Sequence, residues 1–165
     1  MAKGLELIGD PAAGRPTLGA NAPVAMFRAL RMVGMMEGLN ALIGDASTLV
    51  YAAGKGVGKE LGQAILEKTG GNVDAFVAAT AAEVKNLGVG IMKVTHADLD
   101  NGLLEIKVDE CITCSGAPVI GKRVCHFEAG FVSGVLEPLV QKQVNVVETA
   151  CNCMGEDGCV FECKF

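Results

Sequence analysis

Seven cysteines are the residues of this sequence with the most chemistry to offer, and all lie in the last third of its 165 residues. An odd count leaves one thiol without a partner in any scheme made only of disulfides, and the opening residues contain no apolar signal segment. We therefore expect a soluble, cytoplasmic protein whose thiols bind a metal ion or take part in redox chemistry. The seven are Cys111, Cys114, Cys125, Cys151, Cys153, Cys159 and Cys163.

The strongest candidate site surrounds a glycine-bearing loop near the carboxyl end. Cys151, Cys153 and Cys159 cluster at this loop, while Glu148 lies just upstream and Cys125 lies on the preceding predicted helix. Thiolates are good ligands for Zn²⁺, and four donors from a helix, a strand end and a loop can close a tetrahedron. A closed site of that kind would be structural, because it would fasten the last strand to the helix.

The other cysteines leave several interpretations open. Cys111 and Cys114 form a Cys-x2-Cys pair, which could be half of a zinc site, half of an iron–sulfur site or a redox dithiol. Together with Cys153 and Cys163, this pair could hold a second metal ion. Cys163 also suits simple packing in the core, because it has the same strand phase as Phe161.

The two histidines, His96 and His126, are weaker candidates. His126 follows Cys125, but adjacent helical positions point about 100° apart, so the thiol and the imidazole do not face each other. We predict no catalytic residue, and the sequence favours a binding protein over an enzyme.

A glycine-rich run at 54–59 lacks the spacing of a phosphate loop or of a dinucleotide fingerprint. Gly54, Gly58 and Gly62 are instead spaced by four, so they share one stripe of a helix and allow another backbone to approach closely. Close helix packing within the fold is the favoured interpretation. A dimer seam or a pocket wall is the alternative.

The elements that position these residues follow an α+β pattern. Helical periodicity predicts a first helix that ends near Gly44, with an apolar face made of Met26, Phe27, Leu30, Val33, Leu39 and Leu42. Capping and stop signals predict further helices over 47–69 and 72–87, and one long helix over 122–140. Alternation predicts strands over 90–96, 103–112, 143–148 and 159–165.

This order of elements predicts an antiparallel sheet of about four strands, packed with N-terminal helices and with one long helix between the strand pairs. Residues 1–22 are expected to form an irregular arm, and residues 23–165 a single domain. The formal net charge of −5 offers no basic surface to nucleic acid or to an anionic membrane. No apolar stretch reaches the roughly 18 residues of a spanning helix, so we predict no membrane insertion.

Three segments of the carboxyl-terminal third carry a resemblance to known proteins: CHFEAGFVSG at 125–134, VETAC at 147–151 and GEDGCVF at 155–161. AGKGVG at 53–58 adds a less specific match. In these segments the chain resembles the 4-vinyl reductase domain family, and the likeness extends over roughly residues 23 to 165.

The resemblance implies a small domain that binds hydrophobic molecules, usually as a homodimer. The family includes stand-alone archaeal proteins described as hydrocarbon-binding, sensory domains of aromatic-responsive activators and a protein implicated in bacteriochlorophyll vinyl reduction. Its fold is shared with tethering subunits of the TRAPP complex. The zinc of the aromatic sensors is held by three cysteines and a glutamate, which implies Cys125, Glu148, Cys151 and Cys159 as the zinc ligands in this chain.

We therefore expect a zinc-containing domain that binds a small hydrophobic ligand in a sensory or regulatory role. The zinc would be structural, and an aliphatic pocket would lie between the glycine-striped helices and the sheet. Two alternatives stay open. A component of a reductase acting on a tetrapyrrole or another unsaturated substrate would need a partner to deliver electrons. A scaffold or assembly subunit rests on analogy of fold alone.

Overall fold

Residues 9–15 and 17–165 are described by the structure, which is a computed structural model. The predicted arm, residues 1–22, therefore lies partly outside the described residues. Within its described part, a one-turn helix, α1 (Pro11–Gly14), begins where the Asp10 carboxylate accepts a hydrogen bond from the Ala13 N–H at 3.0 Å. The domain boundary after residue 22 stays a prediction.

The first long helical run combines two kinds of helix. It consists of α2 (Val24–Arg28), a π-helical segment (Ala29–Gly38) and α3 (Leu39–Ile43). The run ends at Gly44, whose φ of 86° is a conformation that glycine adopts without strain. The predicted stop at this residue is confirmed.

The π-helical segment changes which side chains face the protein. A π turn holds more residues than an α turn, so the inward positions drift away from the α-helical pattern. Arg31 is buried, whereas Met26, Leu30, Val33 and Leu42 are 60% to 80% exposed. The prediction is therefore wrong for these four of its six apolar side chains, whereas the other two, Phe27 and Leu39, are half-buried.

Helix α4 (Ser47–Thr69) begins and ends where the sequence predicts. It packs along α6 (His126–Val140) through the buried glycines Gly54, Gly58 and Gly62. A methyl group at any of the three would overlap the backbone of α6. The stripe therefore serves close helix packing within the fold, as favoured above.

Helix α5 (Val73–Asn86) is capped by Asn72, whose side chain accepts a hydrogen bond from the Ala75 N–H at 2.8 Å. Its buried face carries Phe76, Thr80 and Val84, in agreement with the helical periodicity. This face covers one end of the sheet next to α6.

The sheet contains four antiparallel strands: β1 (Ile91–Asp98), β2 (Leu103–Asp109), β3 (Asn145–Ala150) and β4 (Cys159–Lys164). Their order is β1-β2-β4-β3, so β2 pairs with the last strand, and α6 lies between the two strand pairs in sequence. The α+β class and the four-stranded antiparallel sheet are confirmed.

Two boundaries differ from the prediction by more than two residues. Strand β2 ends at Asp109 because the next residue, Glu110, has a φ of 52°, which breaks the extended backbone. Helix α6 begins at His126 and not at 122, because residues 121 and 122 form a bend and residues 123–125 have no regular structure. Both changes lengthen the loop that carries the Cys-x2-Cys pair.

The main core lies between the sheet and α6. The alternating residues Leu104, Ile106 and Val108 of β2 face it, as the period of two predicts. All seven cysteines are free, fully buried and part of this same core. Within the described residues, no helix combines the length and the apolar character that a membrane-crossing segment requires.

Candidate metal centre and apolar cavity

Four separate parts of the chain bring the predicted ligands to one place. Cys125 lies just before the first turn of α6, and Glu148 lies on β3. A register shift between Glu148 and Ala150 interrupts the pairing of β3 with β4, and Cys151 follows directly after the strand end. Cys159 is the first residue of β4. The local structure thus directs a helix start, a strand, a turn and a second strand toward one point.

The donor atoms of Cys125, Glu148, Cys151 and Cys159 all lie within 4.8 Å of one another, and all four residues are buried. The sulfurs of Cys125 and Cys159 are 3.7 Å apart. Glu148 Oε2 accepts a hydrogen bond from the Cys125 N–H at 3.1 Å, whereas Glu148 Oε1 is buried without a partner. A buried, unpartnered carboxylate oxygen beside three thiols fits a metal ligand.

The turn at Cys151 is held by its own backbone and by Glu156. The Cys151 N–H donates to Glu156 Oε2 at 2.7 Å, and the Met154 N–H donates to the Cys151 carbonyl at 2.9 Å. Gly155 then takes a φ of 85°, which lets the chain return toward β4. These contacts fix the backbone of the turn that carries Cys151.

A second group of four donors overlaps the first. Cys111, Cys114, Cys125 and Cys159 also have their sulfurs within 4.8 Å of one another. The sulfur of Cys125 is 3.7 Å from that of Cys111 and 3.5 Å from that of Cys114. The sulfurs of Cys114 and Cys159 are 3.1 Å apart. The buried cysteines therefore form one cluster that can hold a metal ion.

The four remaining cysteines do not come together as a group of their own. Cys111 and Cys114 join Cys125 and Cys159, whereas Cys153 and Cys163 belong to neither four-donor group. Pairing of β2 with β4 is the reason, since it sets Cys159 opposite Val108, three residues before Cys111. Among the described residues, no histidine belongs to either group.

Burial and mutual contact change the proton affinities in the cluster. Burial, together with the neighbouring Cys151 thiolate, raises the pKa of Glu148 to about 9. Hydrogen bonds from the thiols of Cys114, Cys125 and Cys159 lower the pKa of Cys151. Burial raises the pKa of Cys163 to about 12, as expected for a thiol that packs in the core. Mutual hydrogen bonding thus lowers the pKa of Cys111 and Cys151 and raises the pKa of Cys114, Cys125 and Cys159, while Cys163 stays neutral.

Two arginines of the first helical run lie against the Cys-x2-Cys loop, and the first is Arg28. Its Nε donates to the Ile112 carbonyl at 2.7 Å, and its Nη2 donates to the Ser115 carbonyl at 2.6 Å. No signal in the sequence indicates this contact, because the helical pattern places both arginines away from the predicted apolar face. The N-terminal helices therefore position a loop of the metal centre.

Arg31 is the second arginine, and it lies in a buried network below the same loop. Its Nη2 is 3.4 Å from Glu128 Oε2, and its guanidinium lies over the Phe127 ring at 4.2 Å from the centroid. Glu128 Oε1 accepts a hydrogen bond from Thr113 Oγ1 at 2.6 Å. Burial raises the pKa of Glu128, which Arg31 opposes.

An apolar cavity of about 30 Å³ lies between α5, α6 and the hairpin of β1 and β2. The glycine stripe does not line this cavity, because it packs α4 on α6. The cavity wall includes two phenylalanines in addition to aliphatic side chains. Thr80 contributes the one buried hydroxyl of the wall, and this hydroxyl has no hydrogen-bond partner. The other lining residues are Phe76, Val77, Met92, Val94, Leu104, Ile106, Phe131, Val132, Val135 and Leu136.

Sequence relatives of this chain are archaeal. The model of the 4-vinyl reductase domain matches residues 104–165, the segment that contains all seven cysteines. The uncharacterized protein MJ0150 of Methanocaldococcus jannaschii is 30% identical over 148 residues, which is 90% of this chain and 79% of that protein.

Two solved structures share the fold. A vinyl-4-reductase family protein from Methanocaldococcus jannaschii has a TM-score of 0.65 and 20% identity, with 99% of this chain and 95% of that chain covered. The phenol-responsive sensory domain of the transcription activator PoxR, solved with phenol, has a TM-score of 0.66 and 18% identity, with 87% and 74% covered. The domain match, the archaeal relative and the carboxyl-terminal motifs agree that the chain belongs to the 4-vinyl reductase domain family.

Proposed function

We propose that this chain is a zinc-containing sensory or regulatory domain that binds a small apolar molecule. The observation that carries the proposal is the cavity between α5, α6 and the sheet, whose apolar wall contains the unpartnered Thr80 hydroxyl. A buried hydroxyl without a partner is costly, so a ligand that supplies one polar group would remove that cost. The shared fold of a domain that is known with phenol supports this choice of ligand class.

The size of the cavity limits how a ligand enters. At about 30 Å³ it is much smaller than a typical ligand pocket. Met92, an unbranched side chain on β1, lines it and is only partly buried. Methionine adopts alternative rotamers at low cost, so we infer that it moves aside when a ring the size of phenol binds.

The proposed zinc ligands are Cys125, Glu148, Cys151 and Cys159. When bound there, zinc would supply a structural cross-link with no open coordination position. The four side chains come from the start of α6, β3, the following turn and β4, so their joint coordination would hold the carboxyl-terminal half together. Since thiols persist in a reducing environment, we also propose a cytoplasmic location.

Ligand binding is tested with Thr80→Val, which removes the hydroxyl and keeps the shape of the side chain. We expect phenol to bind the variant about 5-fold to 10-fold more weakly, the equivalent of one hydrogen bond. Toluene, which has a methyl group in place of the phenol hydroxyl, should bind both proteins equally. Isothermal titration calorimetry measures both affinities.

The matched control enlarges a side chain of the wall. Val132→Phe should fill the cavity and weaken the binding of both compounds. If neither compound binds the unmodified protein, the proposed ligand class is wrong. If Thr80→Val weakens phenol and toluene equally, the Thr80 hydroxyl has no role in recognition.

We also propose that the chain forms a homodimer through its first helical run. Met26, Leu30 and Val33 are 60% to 65% exposed within two helical turns. Adjacent exposed apolar side chains of this size are typical of a surface that another protein covers. A second copy presents the same residues, so a two-fold axis would bury both patches together.

Leu30→Glu tests the homodimer. A charge at the centre of the patch should give a monomer in light scattering coupled to gel filtration, because the carboxylates of two copies would meet in the interface. Leu99→Glu is the matched control, since Leu99 is 59% exposed in the hairpin turn, far along the chain from the patch. It should stay dimeric. A monomeric unmodified protein, or a dimer that Leu30→Glu leaves intact, would contradict the proposal.

A further inference from the structure

We propose that Cys111 and Cys114 complete a second zinc site, which shares Cys125 and Cys159 with the first. The chain would then bind two zinc ions through two bridging thiolates. This inference rests on the proposed function for the first ion only, and it assigns a role to the Cys-x2-Cys pair. The structural basis is the overlap of two four-donor groups that have Cys125 and Cys159 in common.

The distances within the second group suit a single tetrahedral ion. A Zn–S bond of about 2.3 Å gives a regular tetrahedron whose sulfurs are about 3.8 Å apart. The Cys125 sulfur lies 3.7 Å from the Cys111 sulfur, 3.5 Å from the Cys114 sulfur and 3.7 Å from the Cys159 sulfur. The remaining short distance, 3.1 Å between Cys114 and Cys159, needs only a small opening. An iron–sulfur cluster places inorganic sulfide between its irons and would spread the cysteine sulfurs farther apart.

The two groups share one edge, and they differ in their outer ligands. Besides Cys125 and Cys159, one group contains Cys111 and Cys114, and the other contains Glu148 and Cys151. Each ion would therefore have two ligands of its own and two bridging thiolates. Six residues would provide all eight coordination positions.

The loop that carries Cys111 and Cys114 is held in place before any metal binds. Arg28 binds the carbonyl groups of Ile112 and Ser115, and Thr113 donates to the buried Glu128. The Cys111 carbonyl also accepts a hydrogen bond from the Ser115 N–H at 2.9 Å, which closes the turn between the two cysteines. A loop fixed in this way loses little conformational freedom when its thiols bind a metal ion.

Charge also favours a second divalent ion. Five thiolates and one carboxylate carry six negative charges, which is a large charge to bury around one ion. Two zinc ions reduce the total to two negative charges, whereas one ion would leave four. The protons of the thiols leave to solvent as the metal binds, and no oxidant or reductant is required.

The experiment counts zinc per chain by plasma mass spectrometry in protein purified without chelator. We expect two ions in the unmodified chain, one in Cys111→Ser/Cys114→Ser and one in Cys151→Ser. Cys163→Ala is the matched control, because Cys163 is equally buried but belongs to neither group, and it should keep two. Circular dichroism checks that each variant is folded.

Each outcome separates this inference from the proposed function. One ion in the unmodified chain that Cys151→Ser removes and Cys111→Ser/Cys114→Ser keeps would overturn the second site and leave the first standing. One ion that Cys111→Ser/Cys114→Ser removes and Cys151→Ser keeps would show that the proposed ligand set of the first site is wrong. Visible absorbance together with acid-labile sulfide would show that the cysteines hold an iron–sulfur cluster, and both zinc sites would then be wrong.

Cobalt provides a readout of the bridges themselves. Two Co²⁺ ions joined by thiolates couple magnetically, so the electron paramagnetic resonance signal should rise with the first equivalent and fall with the second. In Cys111→Ser/Cys114→Ser the signal should rise with the first equivalent of cobalt and should not fall with the second. A signal that doubles in the unmodified protein would show two independent ions and would overturn the shared ligands.

Discussion

Cys159→Ala is expected to remove the bound zinc and to make the chain markedly less stable to heat. Cys159 begins β4 and is a donor in both groups, so its loss leaves no complete set of four. A structural zinc site contributes about 10–16 kcal/mol to the folding of small domains. If only a quarter of that is lost here, about 3 kcal/mol, the melting temperature should fall by about 6–12 °C in a chain of this size.

The control for this variant lies on the same strand. Cys163→Ala removes a sulfur that is just as buried and whose hydrogen bond goes to the carbonyl of Phe161, at 3.8 Å. It should cost about 1 kcal/mol for the small cavity and leave the metal content unchanged. Scanning calorimetry with metal analysis compares the two. Equal melting temperatures and equal zinc contents would show that the cluster is only a packed core of small side chains.

The second large effect concerns the contact between α4 and α6. Gly58→Ala is expected to lower the stability by about 1–3 kcal/mol, even though alanine favours a helix by about 1 kcal/mol over glycine. The new methyl group would overlap the carbonyl oxygen of Phe131, which belongs to the helix backbone and cannot rotate away. The two helices would have to separate, and Gly130 and Gly134 would lose their contacts with α4.

Gly56→Ala is the matched control on the same helix. Gly56 is exposed, and a methyl group there has no atom within 4 Å. It should raise the stability by up to about 1 kcal/mol through helix propensity alone. Denaturation in urea should therefore show changes of opposite sign for two identical substitutions that lie two residues apart. A gain in stability from both would mean that the helices are not held together by this contact.

Local signals in the sequence predict the elements well. The Thr69-Gly70-Gly71 stop marks the end of α4, and the alternation along 103–109 marks the buried face of β2. Both signals depend on neighbouring residues only, and they need no knowledge of the rest of the fold. The glycine spacing in α4 belongs to the same category, since three residues on one stripe imply a close partner helix.

Features that depend on distant pairing are not predicted in this way. No local pattern indicates that β2 pairs with β4, and this pairing is what brings Cys111 and Cys114 to Cys159. The π-helical segment has a similar effect, because it shifts the inner face by a fraction of a turn and buries Arg31. An arginine inside a core is stabilised only by partners such as Glu128 and the Phe127 ring, which are about a hundred residues away in the sequence.

Zinc binding by the cysteine cluster underlies both proposed metal sites and the expected loss of stability in Cys159→Ala. Native mass spectrometry of the unmodified chain, purified without chelator or added metal, tests it most directly. We predict a dimer whose mass exceeds that of two polypeptides by at least one zinc ion per chain, less the protons that the ligands release. A polypeptide mass with no metal, in protein that is folded and has all seven thiols reduced, would contradict the proposal.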